Sequence, residues 1–185
     1  ASGSPRRQEF FRLLDLDFSI DVREVDEVYS AETLKKSEIT DYLAQLKASV
    51  FKDLSEKDIL ITSDTIVWKD GAAINKPIDK EDAKSMLKNL SGESHEVFTS
   101  VSFTSKNFQK TINDSTKVWF KTLTDEEIEY YITNYQPYDK AGSYGIQDWL
   151  GYIGIERIEG CFFNVMGLPT RLVYKTLTAI AARSF

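Results

Sequence analysis

The sequence predicts an α/β fold, a mixed β-sheet flanked by helices, and it does so on three observations. Some segments repeat apolar residues at spacings of three and four, others alternate them. The two kinds of segment interleave along the chain. At least one pair of neighbouring strands is joined by a short turn, which puts a hairpin in the sheet.

The elements follow in order. Ser4-Pro5 predicts a helix start, with Ser4 as the cap and Pro5 at the first helical position. Phe10, Phe11, Leu13 and Leu14 give that short helix an apolar face. Ile39, Leu43, Leu46 and Val50 place a second helix over residues 38–54. Residues 58–68 are rich in Ile, Thr and Val and read as a buried strand. Ala83, Met86, Leu87 and Leu90 mark a helix that Ser91-Gly92 stops. Val97, Thr99, Val101 and Phe103 alternate over a strand at 95–104, and 113–123 reads as its partner across a turn near Lys106-Asn107. Thr124 and Glu127 have the spacing of a capping box for a helix to about Asn134. Residues 136–160 read as a functional loop followed by a strand, and Leu168-Pro169 opens a last helix to about Ala182.

The 185 residues carry no repeat and no linker rich in Pro, Gly and Ser, so one domain is expected over 1–185. Hydrophobic residues make up 42% and charged residues 28%, a globular composition. A net charge of -6 argues against coating a nucleic-acid backbone or an anionic membrane, but leaves room for a small anion met by local cations. No apolar run approaches the length of a membrane span, and the start carries no secretory signal. The single cysteine, Cys161, excludes an internal disulfide and fits a reducing, cytoplasmic setting. Between Gly160 and Phe162-Phe163 it is expected to be a buried, inert thiol.

Five segments could carry chemistry. In Ser2-Gly3-Ser4-Pro5-Arg6-Arg7, small residues run into a helix N-terminus beside hydroxyls and guanidiniums, as in a phosphate site; a plain capped helix with solvated arginines is the other reading. Asp64, in Ser63-Asp64-Thr65, sits inside an apolar strand, where a carboxylate is costly unless paired or set against a cation. It is either a metal ligand or general base, or a carboxylate held by backbone donors. Lys76, in Asn75-Lys76-Pro77, lies in a turn and is solvated by default. His95, in Ser91-Gly92-Glu93-Ser94-His95, is the only histidine; it touches phosphate or base, or it is structural, and alone it cannot make a His-rich zinc site. In Asp139-Lys140-Ala141-Gly142-Ser143-Tyr144-Gly145-Ile146-Gln147, small residues permit close approach of a ligand, and Gln147 offers the donor and acceptor needed to read a base edge. The chain has no Walker A loop, no dinucleotide-binding glycine pattern and no nucleophile elbow. Tyr130, Tyr131 and Tyr135 have helical spacing and read as packing.

Taken in order, these segments resemble the Maf family of septum-formation inhibitors and housecleaning nucleotide pyrophosphatases. The resemblance spans nearly the whole chain. It implies a fold similar to that of the inosine triphosphate pyrophosphatases, a bent mixed sheet with two lobes around a central cleft, whose first strand would precede Ala1. It implies hydrolysis of a nucleoside triphosphate to the monophosphate and pyrophosphate with a divalent cation, Mg²⁺ or Mn²⁺. Gly145-Ile146-Gln147 resembles the branch acting on dTTP and UTP. By the same resemblance Asp64 matches the proton acceptor and a metal ligand, and Glu27 matches an acidic position near the metal. Arg6, Thr65 and Gln147 match specificity positions, and Ser2, Arg7, Lys47, Lys76 and Lys140 match polar positions lining the triphosphate cleft. Two positions depart from the pattern. Gln136 stands where the family usually has Glu, which would weaken metal affinity, and Asp148 follows Gln147 where glycine is common, which would alter the loop that holds the base.

The expected partner is therefore a nucleoside triphosphate, with neither nucleic acid nor membrane. Family members are often dimers, so a homodimer is a further expectation, although no stripe of residues identifies an interface. Two alternatives stay open. One keeps the reaction and changes the substrate to a purine or modified nucleotide. The other is a non-catalytic nucleotide-binding regulator of septum formation.

Overall fold

The structure is a computed structural model that describes residues 2–182. It has the expected α/β character: a five-stranded open sheet in the order β2-β1-β3-β4-β5, with helices before, between and after the strands. The elements are α1 (Pro5–Leu13), α2 (Ser37–Ser49), β1 (Leu60–Lys69), β2 (Ala72–Ile74), α3 (Lys80–Leu90), β3 (Ser94–Thr104), β4 (Gln109–Phe120), α4 (Asp125–Tyr135), α5 (Trp149–Gly154), β5 (Ile155–Glu159), α6 (Phe162–Val165) and α7 (Thr170–Ala181).

The edge strands pair antiparallel: Val67 lies opposite Ile74 in β1 and β2, and Lys117 opposite Glu159 in β4 and β5. The β3–β4 hairpin turns over residues 105–108, where the Ser105 N–H donates to the Phe108 carbonyl at 2.9 Å.

The chain divides into two compact units. One comprises Ala1–Asp64, Thr99–Asp114 and Gly167–Phe185; the other comprises Thr65–Phe98 and Ser115–Met166. Strands β1, β3 and β4 each contribute residues to both. In the first unit α2 is tied to β1 by the Thr62 hydroxyl, which donates to the Ala44 carbonyl at 2.6 Å, and Ala48, Phe51 and Leu60 pack together. In the second unit a larger core gathers Val67 of β1, Leu87 and Leu90 of α3, Val118 of β4, Ile128 and Tyr131 of α4, and Leu150 of α5.

Several sequence expectations hold in detail. The Thr124–Glu127 capping box forms in both directions at the start of α4. Ser91 ends α3, and its hydroxyl accepts from the Leu123 N–H at 2.7 Å.

Others are corrected. Ser4 stands at the N-cap of α1, but its side chain makes no capping hydrogen bond; its own N–H donates to the Ser2 hydroxyl at 3.2 Å. The apolar face of α1 is narrower than expected, because Phe10 is buried and Leu13 is exposed. Helix α2 ends at Ser49, short of residue 54, and Phe51 turns inward instead of continuing the helix. Strand β4 begins at Gln109, four residues before the expected start. The stretch after Gln136 holds two short 3₁₀ turns and then α5 before its strand, and β2 and α6 appear where no element was expected. Cys161 is half-buried rather than buried; its N–H donates to the Thr116 hydroxyl at 3.0 Å.

Candidate functional site

The candidate residues fall into two groups, one in each unit. Ser2, Arg6, Arg7, Glu27, Lys47 and Asp64 belong to the first; Thr65, Lys76, Lys140 and Gln147 belong to the second. Asp64 is the last β1 residue of one group and Thr65, next in the chain, opens the other.

Asp64 is 8% exposed, within a β1 run that is otherwise apolar or hydroxylic. Its carboxylate is met by a side chain, not by the backbone alone: Lys47 Nζ, from the last turn of α2, lies 2.6 Å from Asp64 Oδ1. The same ammonium lies 2.9 Å from Glu27 Oε2. Glu27 comes from the irregular segment between α1 and α2, so the contact between α2 and β1 and the course of that segment converge on one cation. An amine that holds two carboxylates resolves the cost of burying Asp64.

Arg7 lies beside this group and is committed to the backbone. Its Nε donates to the Gly167 carbonyl and its Nη1 to the Ser63 carbonyl, both at 2.8 Å. Burial pulls its pKa below the usual arginine value, an effect opposed by the charge of Asp64, reinforced by Arg6 and opposed by Glu27. A guanidinium remains charged under such a shift. Arg7 therefore pins the residue before Asp64 while adding positive potential next to it. Ser2 is half-buried and accepts from the Ser4 N–H, and its carbonyl accepts from the Gln8 amide at 3.0 Å. A cavity of about 310 Å³ in this unit is lined by Ser2, Arg7, Phe11, Phe51 and Ser63, among others, but Lys47, Asp64 and Glu27 lie outside its wall.

In the second unit the loop after α4 is held to the turn that carries Lys76. The Gly142 N–H donates to the Asn75 carbonyl at 3.0 Å, which brings the Asn75-Lys76-Pro77 and Asp139-Lys140-Ala141-Gly142 segments together. Gly142 has φ +69, and a Cβ there would lie 3.0 Å from Val67 Cγ2, so both the backbone conformation and the close packing favour glycine. Lys76 is exposed, and Thr65 is half-buried. Lys140 Nζ lies 2.7 Å from Asp139 Oδ1 and 3.8 Å from Asp148 Oδ2.

Gln147 is half-buried, and its Nε2 donates to Asp148 Oδ1 at 3.2 Å. Asp148 Oδ2 accepts from the Tyr131 hydroxyl at 2.8 Å, and that hydroxyl accepts from the Gly145 N–H at 3.0 Å. A Cβ on Gly145 would lie 2.5 Å from Asp148 Oδ2 and 2.7 Å from Gln147 Nε2, so the glycine makes room for both side chains. Gln136, the first departure from the family pattern, is the exposed C-cap of α4 in left-handed conformation. Asp148, the second, stands at the N-cap of α5 and in the middle of the Gln147 network.

His95 takes the structural reading. It is 2% exposed, its Nε2 shares a 2.7 Å hydrogen bond with the Tyr144 hydroxyl, and its ring packs edge-on against Phe120 and Tyr144. Tyr131 and Tyr135 do stack, with centroids 5.2 Å apart, and Tyr130 packs on Trp149. What the sequence did not reveal is the work of the Tyr131 hydroxyl. Its only signal was its place on the apolar face of α4.

The carboxylate pair suits a hard divalent cation. Asp64 and Glu27 already face one positively charged group together, and both offer carboxylate oxygens. Among the described residues no set of three or more His, Cys, Asp or Glu side chains is assembled for a metal. Any divalent cation held there would take two carboxylates from the protein.

With this geometry in view, comparison with known proteins is informative. The family described as Maf-like protein matches residues 1–180. The chain is 61% identical over 178 residues to a dTTP/UTP pyrophosphatase of Christiangramia forsetii, covering 96% of this chain and 90% of the relative. It is 57% identical over 175 residues to a protein of the same name from Flavobacterium psychrophilum, covering 94% and 89%. A third so named, from Bacteroides fragilis, is 45% identical over 179 residues, covering 96% and 92%.

Proposed function

We infer the activity from a plain premise: the chain belongs to the Maf family. It is a nucleoside triphosphate pyrophosphatase that cleaves dTTP and UTP to the monophosphate and pyrophosphate, and it works in the cytoplasm on the nucleotide pool. The names of its relatives support the substrates. The observation that carries the chemistry is the buried Asp64 carboxylate beside Lys47, with Glu27 on the same ammonium.

Asp64 orients a water molecule and takes its proton as the water oxygen attacks the α-phosphorus. The bond from that phosphorus to the bridging oxygen breaks, and pyrophosphate leaves with the electron pair. Arg6, Arg7, Lys47, Lys76 and Lys140 meet the charge of the triphosphate, and Ser2 adds a hydroxyl. Arg7 does so mainly through its field, because it is engaged with the Ser63 and Gly167 carbonyls. Asp64 and Glu27 would hold Mg²⁺ or Mn²⁺, which supplies positive charge against the phosphate oxygens and makes water a stronger acid. Thr65, Arg6 and Gln147 choose the base and sugar, with Gln147 reading the pyrimidine edge through its amide.

The test is pyrophosphate release from dTTP, UTP, CTP, GTP and 7-methyl-GTP, with Mg²⁺ or Mn²⁺ and with EDTA. Turnover of dTTP and UTP that EDTA abolishes is the expected result. Turnover of purines alone would keep the reaction and reject the substrate, and binding without turnover would reject the enzyme.

A further inference from the structure

We propose that Asp148, steered by Tyr131, fixes the Gln147 amide in the orientation that fits a 4-oxopyrimidine and rejects a 4-aminopyrimidine. The proposal rests on the reading of Gln147 as the residue that faces the base.

An amide can read either kind of pyrimidine, depending on which way it is turned. Uracil and thymine present an N3–H donor beside a 4-oxo acceptor; cytosine presents an N3 acceptor beside a 4-amino donor. A glutamine with its oxygen toward N3 and its nitrogen toward position 4 matches the first pattern at both atoms. Turned over, it matches the second. Gln147 by itself therefore does not discriminate UTP from CTP; something must hold the amide.

Asp148 supplies the hold. Carboxylate oxygens only accept. With Gln147 Nε2 3.2 Å from Asp148 Oδ1, one amide hydrogen is taken and the other remains for a 4-oxo group, while Oε1 is left to accept an N3–H. The opposite orientation would set Oε1 against Asp148 Oδ1, two acceptors with no proton between them.

Asp148 is fixed in turn. The Tyr131 hydroxyl has one proton, and because it accepts from the Gly145 N–H at 3.0 Å, that proton goes to Asp148 Oδ2 at 2.8 Å. Tyr131 is fully buried on α4, and burial, above all, raises its pKa, so the proton stays on the phenol. Lys140 Nζ, 3.8 Å from the same oxygen, adds positive charge. Gly145 completes the arrangement, since a side chain there would push Asp148 Oδ2 and Gln147 Nε2 out of place. The departure from glycine at position 148 is thus a positioning residue for specificity.

The experiment measures kcat/KM for UTP and CTP in the parent protein, Asp148→Asn, Tyr131→Phe and Gln147→Glu. An asparagine at 148 that keeps its oxygen toward the Tyr131 hydroxyl turns its NH2 toward Gln147, which no longer favours Nε2 on that side and lets the amide turn over. The UTP-over-CTP ratio should fall at least about tenfold in Asp148→Asn, the scale of one hydrogen bond to a charged group. It should fall severalfold in Tyr131→Phe, which keeps the ring stacked on Tyr135. Any loss of active protein cancels from the ratio, so a merely structural role would leave it unmoved. A ratio unchanged in Asp148→Asn but changed in Gln147→Glu would overturn the positioning role and leave the base-reading role of Gln147 standing. A parent protein that hydrolyses neither UTP nor dTTP would overturn the underlying activity, and this proposal with it.

Discussion

Lys47 Nζ sits 2.6 Å from Asp64 Oδ1 and holds Glu27 with the same ammonium, which makes α2 the element that arms β1. Asp64 is held by a residue 17 positions earlier in the chain. Asp64→Asn keeps the shape and can still accept from Lys47, but it cannot take a proton. Turnover of UTP should fall at least roughly a hundredfold, the low end for a positioned base, with the unfolding midpoint close to that of the parent. A variant that keeps most of its activity would remove Asp64 from the role.

Lys47→Ala leaves two carboxylates facing each other without their cation. Its cost in stability should be about 1–3 kcal/mol, the range for losing hydrogen bonds to charged groups. If the carboxylate pair also accommodates a divalent cation, Mg²⁺ without nucleotide should raise the melting temperature of Lys47→Ala more than that of the parent. Equal responses would argue against metal at Asp64 and Glu27.

His95 gives the pH dependence of stability. Burial first, and Lys69 second, push its pKa down to about 4 from 6.5. The folded protein keeps the ring neutral between Tyr144 and Phe120, while the unfolded chain binds a proton below about 6.5. The unfolded state therefore gains on acidification. Stability is full above pH ~6.5, falls as pH drops toward 4, and loses about 3 kcal/mol over that window. Urea unfolding at pH 7 and pH 4.5 should show a fall that His95→Gln removes. A parent protein equally stable at both pH values would contradict this.

Two glycines of one loop should behave differently. Gly142→Ala forces a side chain into φ +69 and against Val67, so it should destabilise by about 1–2 kcal/mol, measured by urea unfolding. Gly145→Ala meets only the ends of Asp148 and Gln147, which can move. Its main effect should be on kcat/KM for UTP, with a smaller change in the unfolding midpoint.

These contrasts show how much the sequence carried. The Thr124–Glu127 box was legible because a cap is written in local spacing, and the β3 strand was legible from its composition, although residues 97–103 are buried throughout rather than on alternate positions. Asp64 was legible because a carboxylate among Ile and Val residues is too costly to bury without a partner. Helix α5 was not, since it is six residues long, contains Gly151 and Gly154, and forms only where Leu150 finds the core. Strand β2 is three residues pinned by pairing to β1 rather than by its own composition. The Ser4 cap expected from spacing does not form, and nothing in the structure accounts for it. The Tyr131–Asp148 link was out of reach for the same reason as the Lys47–Asp64 pair: each joins side chains 17 positions apart, and such hydrogen bonds leave no periodicity.

The catalytic role of Asp64 is tested most directly by pyrophosphate release from UTP and dTTP in the parent protein and in Asp64→Asn, with Mg²⁺ and with EDTA. The expected result is turnover of both nucleotides that disappears with EDTA and falls at least roughly a hundredfold in the variant. Turnover that survives both EDTA and the loss of the Asp64 carboxylate would contradict it.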